Sequence, residues 1–229
     1  WAGRHRLVGK LIAPEKAVAL AHHFEKPIIF TDAADATSSG ASGDSNALIK
    51  TLREGGYKKR VLAQIVDAPA AQAAHEAGVG ATIDVALGGT VDPKRFQPLK
   101  VRATVESLSR GKAVLETMGL PLDAGLSAVL TFENFTVLAI SKPAFLFDRS
   151  LYYANGLDPE RFDLTIVKSP HTEFHMYDQW VAKNFNVDAP GSTSAYVAGL
   201  GHTLCARPIY PIEADTPFTP RAVSYRRRA

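Results

Sequence analysis

The chain has a single cysteine, Cys205, so it can form no internal disulfide, and that usage fits a reducing compartment such as the cytoplasm. In the apolar setting "GHTLCARP" the thiol reads as a buried structural group rather than a nucleophile. Long hydrophobic runs are absent as well. Stretches such as Ala128 to Leu130 and Val137 to Ile140 are far too short to cross a bilayer, so no membrane segment is expected. Neither G-x-G-x-x-G nor G-x-x-x-x-G-K-[ST] occurs, which removes the nucleotide-binding loops. The patterns H-E-x-x-H and G-x-S-x-G are missing too. A charge of one sign is also lacking: Lys plus Arg is 26 against 23 for Asp plus Glu, and Arg226, Arg227 and Arg228 account for the whole excess of three. The sequence pI near 9.0 is therefore partly a property of the tail. It gives no support to a nucleic-acid face, which needs a basic stripe on a folded element.

What is present is enough apolar material, 46% of 229 residues, to bury a proper core. "PEKAVALAHHF", Pro14 to Phe24, carries apolar residues at helical spacing behind a proline suited to a helix start. "KPIIFTDA" is a short continuous apolar run, as in a strand buried on both faces. After a loop of small and acidic residues, Ala47, Leu48 and Leu52 mark a helix that Gly55-Gly56 ends. The pattern repeats with a strand over Lys59 to Ala68, a helix from Pro69 to Gly78, and the strand "ATIDVALGG". Strands alternating with helices imply right-handed crossovers and a parallel sheet.

From Lys100 the segments "KVRATVESLS", "KAVLETMG", "SAVLTFENF" and "TVLAIS" alternate apolar and polar residues, with turn signals between them, as an antiparallel meander does. The α/β rhythm then resumes: a helix near Asp148 to Asn155, a strand over Phe162 to Ser169, a helix near Phe174 to Asn184, and "FNVDAPG" as a last strand and turn. The expected fold class is α/β, a mostly parallel sheet with flanking helices plus an antiparallel β-rich insertion around 100–141. The expected domain is 1–213, with a β-rich subdomain at about 98–142, followed by an extended Pro- and Arg-rich tail at 214–229.

The loop "TDAADATSSGASGDSNA" holds the main candidates for chemistry. A strand that runs into small residues and hands over to a helix gathers backbone N–H groups where open α/β sheets bind polar ligands. The alternative is a helix start capped by Asp44 or Ser45, with Asp32 and Asp35 ordering the turn through side-chain to backbone bonds. Asp32 and Asp35 could also act as paired carboxylates. Lys168 ends an expected buried strand, at the end where α/β sites lie, or else extends its stem along the sheet and its ammonium to water. His171 and His175 stand four apart, as two zinc ligands on a helix would, but the helix should begin after Pro170 and leave His171 at or before its first turn.

Several segments together resemble the C-terminal domain of the microcystinase C family, bacterial metallohydrolases named for cleaving linearised microcystin. They are "IIFTDAADATSSGASGDSNALIKTL", "AGVGATIDVALGGTVDP", "TIVKSP", "NVDAPG" and "RPIYPIE", in the family's order, and "WAGRHRL" looks like the segment where that domain begins. The resemblance implies zinc as cofactor, with its Asp and His ligands on an N-terminal catalytic domain of a longer chain. It makes that domain, or a companion chain carrying it, the expected partner, and a small peptide or amide the expected substrate. A homo-oligomer stays open. On this view the chain opening at Trp1 is a C-terminal half, inactive alone, that lines the substrate cleft.

The family loop falls on Asp32, Asp35, Gly40, Gly43 and Asp44. With Ser38, Ser39, Lys168 and His171, these are the candidate substrate-binding residues; no catalytic residue and no metal ligand is expected in this chain. Two departures stand out. Ala36, Thr37, Ser38 and Ser39 replace Asn-Pro-Gly-Gly, and "KSPHTEF" replaces "KSSxHFR". The competing reading is a non-catalytic small-ligand-binding module or a scaffold.

Overall fold

The computed structural model describes residues 10–217, 219 and 223–225. The "WAGRHRL" segment and the terminal arginines lie outside these residues. Lys10–Ala195 forms one compact unit. The described residues from Tyr196 onward belong to a second, which contains a 3-10 turn at Val197–Leu200, cis peptide bonds before Pro208 and Pro211, and an Arg207 to Glu213 ion pair at 2.6 Å.

The larger unit is built on an eight-stranded sheet of order β10-β1-β9-β2-β8-β7-β4-β3. Its strands are β1 (Ile28–Asp32), β2 (Val61–Val66), β3 (Thr82–Leu87), β4 (Leu99–Ser109), β7 (Ser127–Phe132), β8 (Phe135–Ile140), β9 (Leu164–Val167) and β10 (Lys183–Val187). The block from β10 to β8 is mutually parallel, and β7, β4 and β3 extend it in antiparallel fashion. A separate hairpin pairs β5 (Lys112–Val114) with β6 (Pro121–Asp123).

The apolar runs read from the sequence are the central strands: every residue of β1, β2 and β9 is buried. The alternating segments that followed are β4, β7 and β8 of the same sheet, and β8 lies parallel to β2 rather than in a sheet of its own. β3 departs from the expected helix-to-parallel-strand rhythm, because it pairs antiparallel with β4. A register shift between Val105 and Ser107 irregularises β4. The far end of the β3–β4 hairpin lies against the C-terminal end of β2, where the Gly88 N–H donates to Asp67 Oδ2 at 2.7 Å.

Helices α1 (Pro14–Ala21), α2 (Ala47–Glu54) and α3 (Ala68–Ala77) contribute Ala17, Leu48, Leu52 and Ala74 to the main core. Val61, Ala63 and Ile65 of β2 join that core, whereas Leu62 and Val66 pack into a second cluster with Leu151 and Tyr152 of α4 (Ser150–Ala154). This alternation places α1 to α3 on one face of the sheet and α4 on the other. The helix expected over Phe174 to Asn184 is instead a single π-helical turn, Phe174–Asp178. Met176 and Tyr177 pack on Ile29 and Val167, and Lys183 onward pairs with β1 as the edge strand. Among the described residues no helix is long and apolar enough to cross a membrane.

Candidate functional site

The connection leaving β1 runs to α2 on the first face, whereas the one leaving β9 runs to the π-helical turn packed on Ile29 and Val167. β9 lies between β1 and β2, so neighbouring strands send their chains to opposite faces at its C-terminal end. Such a switch point leaves a crevice in an open α/β sheet. Here the crevice is widened, because β9 stays paired with β1 through Val167 but with β2 only over Leu164 and Thr165.

The chain fills that gap with its own loop. The Val66 N–H donates to the Gly43 carbonyl at 2.9 Å, so the loop after β1 takes the backbone bond β9 has given up. A Cβ on Gly43 would stand 2.5 Å from a Thr37 methyl and 2.6 Å from a Val66 methyl, and its φ is +76°. Only glycine fits that slot without displacement. On the other face the Tyr152 hydroxyl donates to the Ile166 carbonyl at 3.3 Å.

Asp35 organises the loop. Its Oδ1 accepts from the Gly43 N–H at 2.9 Å and the Ser42 hydroxyl at 3.2 Å. Its Oδ2 accepts from the Ser45 N–H at 2.8 Å and from Lys168 Nζ at 2.6 Å. Four donors satisfy the carboxylate entirely from within the protein. Lys168 also donates to the Ser45 carbonyl at 2.9 Å and is 2% exposed, so the strand-end lysine is turned inward rather than out to water. Asp32 accepts from the Asp35 N–H at 3.2 Å. Its carboxyl is pushed up to about 6, chiefly by burial, with Lys168 opposing and the Asp35 charge adding. The turn-ordering bonds expected of Asp32 and Asp35 are therefore present.

Asp44 does not cap α2. Its Oδ2 accepts from the Val91 and Asp92 N–H groups at 2.7 and 2.8 Å, tying the loop to the turn after β3. Ser45 Oγ accepts from the Ala47 N–H at 3.3 Å from one position further back, but the N-cap of α2 is Asn46, which makes no side-chain cap bond, so neither expected residue caps the helix. Ser38, Ser39 and Gly40 form the exposed part of the loop, in a 3-10 turn at Thr37–Ser39. His171 is exposed and lies 3.7 Å from Glu173, whereas His175 lies 3.9 Å from Glu116. The two imidazoles thus have different neighbours.

Three further contributors escaped the sequence reading. Asp67 caps α3 through the Ala70 N–H at 2.9 Å and also holds Gly88; burial raises its carboxyl against those bonds. The tripeptide Asp67-Ala68-Pro69 carried the signal, an acidic N-cap shortly before a first-turn proline. Buried Asp148 accepts from both the N–H and the hydroxyl of Thr117. Gly191 packs so closely that a Cβ would stand 2.0 Å from the Ala34 carbonyl oxygen, and Thr193 bonds to Ala33 and Ala34.

Fold and site together define an open, mostly parallel α/β domain whose switch-point crevice is closed by a buried lysine–carboxylate pair, with a small polar turn exposed beside it. The family model described as MlrC C-terminus matches residues 30–203, and the chain belongs to that family. It is 24% identical over 193 residues to microcystinase C from Sphingomonas sp., covering 82% of this chain and 36% of that protein. A crystal structure of a protein from Mesorhizobium sp. BNC1, assigned as a metallopeptidase, superposes with a TM-score of 0.82 at 25% identity, covering 96% of this chain and 44% of the other. The chain spans less than half the length of either relative.

Proposed function

We propose that this chain is the carboxy-terminal part of a zinc-dependent peptide or amide hydrolase of the microcystinase C type, lining the substrate cleft against an amino-terminal catalytic domain. One observation carries the reading: the exposed turn of Ser38, Ser39 and Gly40 leads directly into a segment that the buried Asp35 carboxylate anchors at Ser42, Gly43 and Ser45, with Lys168 as its fourth donor. A small, polar and rigid edge beside strand C-termini suits the wall of a peptide-binding cleft, where preorganisation limits the entropy lost on binding. Among the described residues no group of three or more His, Cys, Asp or Glu could hold a metal, and Asp35 has no free oxygen to offer. The zinc of such an enzyme does not fit the residues here, and its ligands belong to the amino-terminal domain in this proposal.

In this role the chain's own groups bind and orient. The Ser38 and Ser39 hydroxyls and the loop backbone offer hydrogen bonds to a peptide's amides. Asp35 and Lys168 fix the loop just after that turn, at Ser42, Gly43 and Ser45. The test is hydrolysis of a linear peptide by a polypeptide carrying both parts. Ser39→Trp, which obstructs the wall without touching the core, should raise KM by roughly tenfold, about 1.4 kcal/mol, with kcat little changed. An unchanged KM for both Ser38→Trp and Ser39→Trp would remove the loop from the cleft.

A further inference from the structure

The second face of the larger unit exposes large apolar side chains on neighbouring elements. Phe174 opens the π-helical turn and is 67% exposed, and Val114 on the β5–β6 hairpin is 61% exposed. Met118, Leu120 and Phe145 are exposed as well. Single apolar residues on a surface need no explanation, but a group on adjoining elements marks an interaction site.

These elements are fastened to one another. The Glu116 N–H donates to Ser150 Oγ at 2.9 Å, and buried Asp148 holds Thr117, which fixes the hairpin tip to the start of α4. Arg149 forms a bidentate pair with Glu116 at 2.8 Å and donates to the Met176 carbonyl at 2.8 Å, which fixes α4 to the π-helical turn. The rings of Phe145 and Phe147 lie 5.9 Å apart. A hollow of about 160 Å³, lined by Thr37, Leu122, Pro143, Ala144 and Phe145, joins this surface to the Thr37–Ser39 turn. Thr37 Oγ1 donates to the Ala144 carbonyl at 2.5 Å across that junction. The Arg149 guanidinium, between the hairpin and the π-helical turn, is paired with Glu116 and lies over the Tyr153 ring.

We infer that this apolar surface, from the β5–β6 hairpin through Phe145 to Phe174, is the docking face for the amino-terminal domain of the hydrolase. The inference rests on the function proposed above. Three features choose the occupant. The relatives extend well beyond the matched region, since this chain covers 36% and 44% of them, so that polypeptide has to pack somewhere. The face is preordered by hydrogen bonds between its elements, which lowers the cost of association. It also runs into the turn that would meet substrate, and a cleft between two parts needs its docking face and its wall side by side.

The test uses a polypeptide in which the amino-terminal part of the Mesorhizobium relative precedes this whole chain, compared with this chain alone. Single reporters, Met118→Cys, Phe174→Cys and the remote Val79→Cys, are placed in a Cys205→Ser background and reacted with a maleimide. Labelling at positions 118 and 174 should slow at least tenfold in the longer polypeptide, while position 79, 64% exposed in this chain, should be unaffected. Equal rates in both polypeptides would overturn the docking face. Protection that grows with the concentration of this chain alone would assign the face to a second copy and overturn the chosen occupant. Peptide hydrolysis by the longer polypeptide is read separately. Activity with unprotected reporters would leave the hydrolase reading standing and sink only this one, and protection without activity would do the reverse.

Discussion

Lys168 Nζ and Asp35 Oδ2 meet at 2.6 Å with side chains 2% and 0% exposed, and a charge pair at that depth survives only if both partners stay. Lys168→Met should cost about 3–5 kcal/mol in urea denaturation, because it strands a buried carboxylate. Asp35→Ala should cost at least as much, since the N–H groups of Gly43 and Ser45 lose their acceptor as well. The double variant should cost clearly less than the sum, the mark of direct coupling. Asp32 behaves in the opposite sense. Its carboxyl rises from 3.8 to about 6, so folding favours its protonated form. That contribution is fully present below the ordinary value and is lost as pH rises through about 6. A shift of this size corresponds to roughly 3 kcal/mol at most. Asp32→Asn keeps an acceptor for the Asp35 N–H and should stabilise the protein by about 1–3 kcal/mol near pH 8. The gain should vanish toward pH 4. Some fall in stability with pH should remain, because burial also raises Asp67. Equal stability of Asp32→Asn and wild type near pH 8 would refute the burial cost. The sequence offered turn ordering by Asp32 and Asp35 as one of its alternatives, since such bonds are local. It could not show that Lys168 closes the same site from 133 positions away.

At the level of elements, the loop after β1 serves as a missing length of strand. β2 and β9 part after two paired residues, and Gly43 supplies the acceptor that Val66 needs. Two glycines in this loop separate packing from backbone strain. Gly40 has φ +91° with nothing within 4 Å of its virtual Cβ, whereas Gly43, at +76°, faces stiff methyls at 2.5 and 2.6 Å. Gly40→Ala should cost about 1 kcal/mol and Gly43→Ala about 2–4, compared by thermal or urea unfolding. Equal losses would mean that the slot yields easily. Elements were legible wherever burial was continuous or nearly so, as in β1, β2, β7 and β8. The segment from Phe174 to Asn184 misled because Met176, Tyr177, Trp180 and Val181 repeat at helical spacing. Only Met176 and Tyr177 are fully buried there, and pairing with β1 claims the chain from Lys183. β3 was placed in the wrong direction for a related reason. A strand after a helix looks the same in sequence whether it joins the parallel block or returns along β4.

For the whole molecule, the proposed function turns on whether this chain can hold a metal itself. His171 and His175 are neighbours on paper, yet one approaches Glu173 and the other Glu116, both on the surface. The buried carboxylates Asp35 and Asp67 are occupied by N–H donors, and Asp44 gives one oxygen to the turn after β3. A structural zinc site contributes on the order of 10 kcal/mol to folding, so a chelator would visibly unfold a chain that depended on one. The purified 229-residue chain should therefore retain under about 0.1 equivalent of zinc after dialysis, by elemental analysis. Its unfolding midpoint should be the same with and without chelator. In a polypeptide that also carries the amino-terminal domain, chelation should abolish peptide hydrolysis while leaving the unfolding of this part unchanged, and restored zinc should recover the activity. Stoichiometric zinc on this chain alone would place ligands here and make it a metal-binding domain in its own right. Hydrolysis insensitive to chelation would remove the metal from the reaction, leaving the exposed Ser38–Gly40 turn and the buried Asp35–Lys168 pair to be assigned to another chemistry.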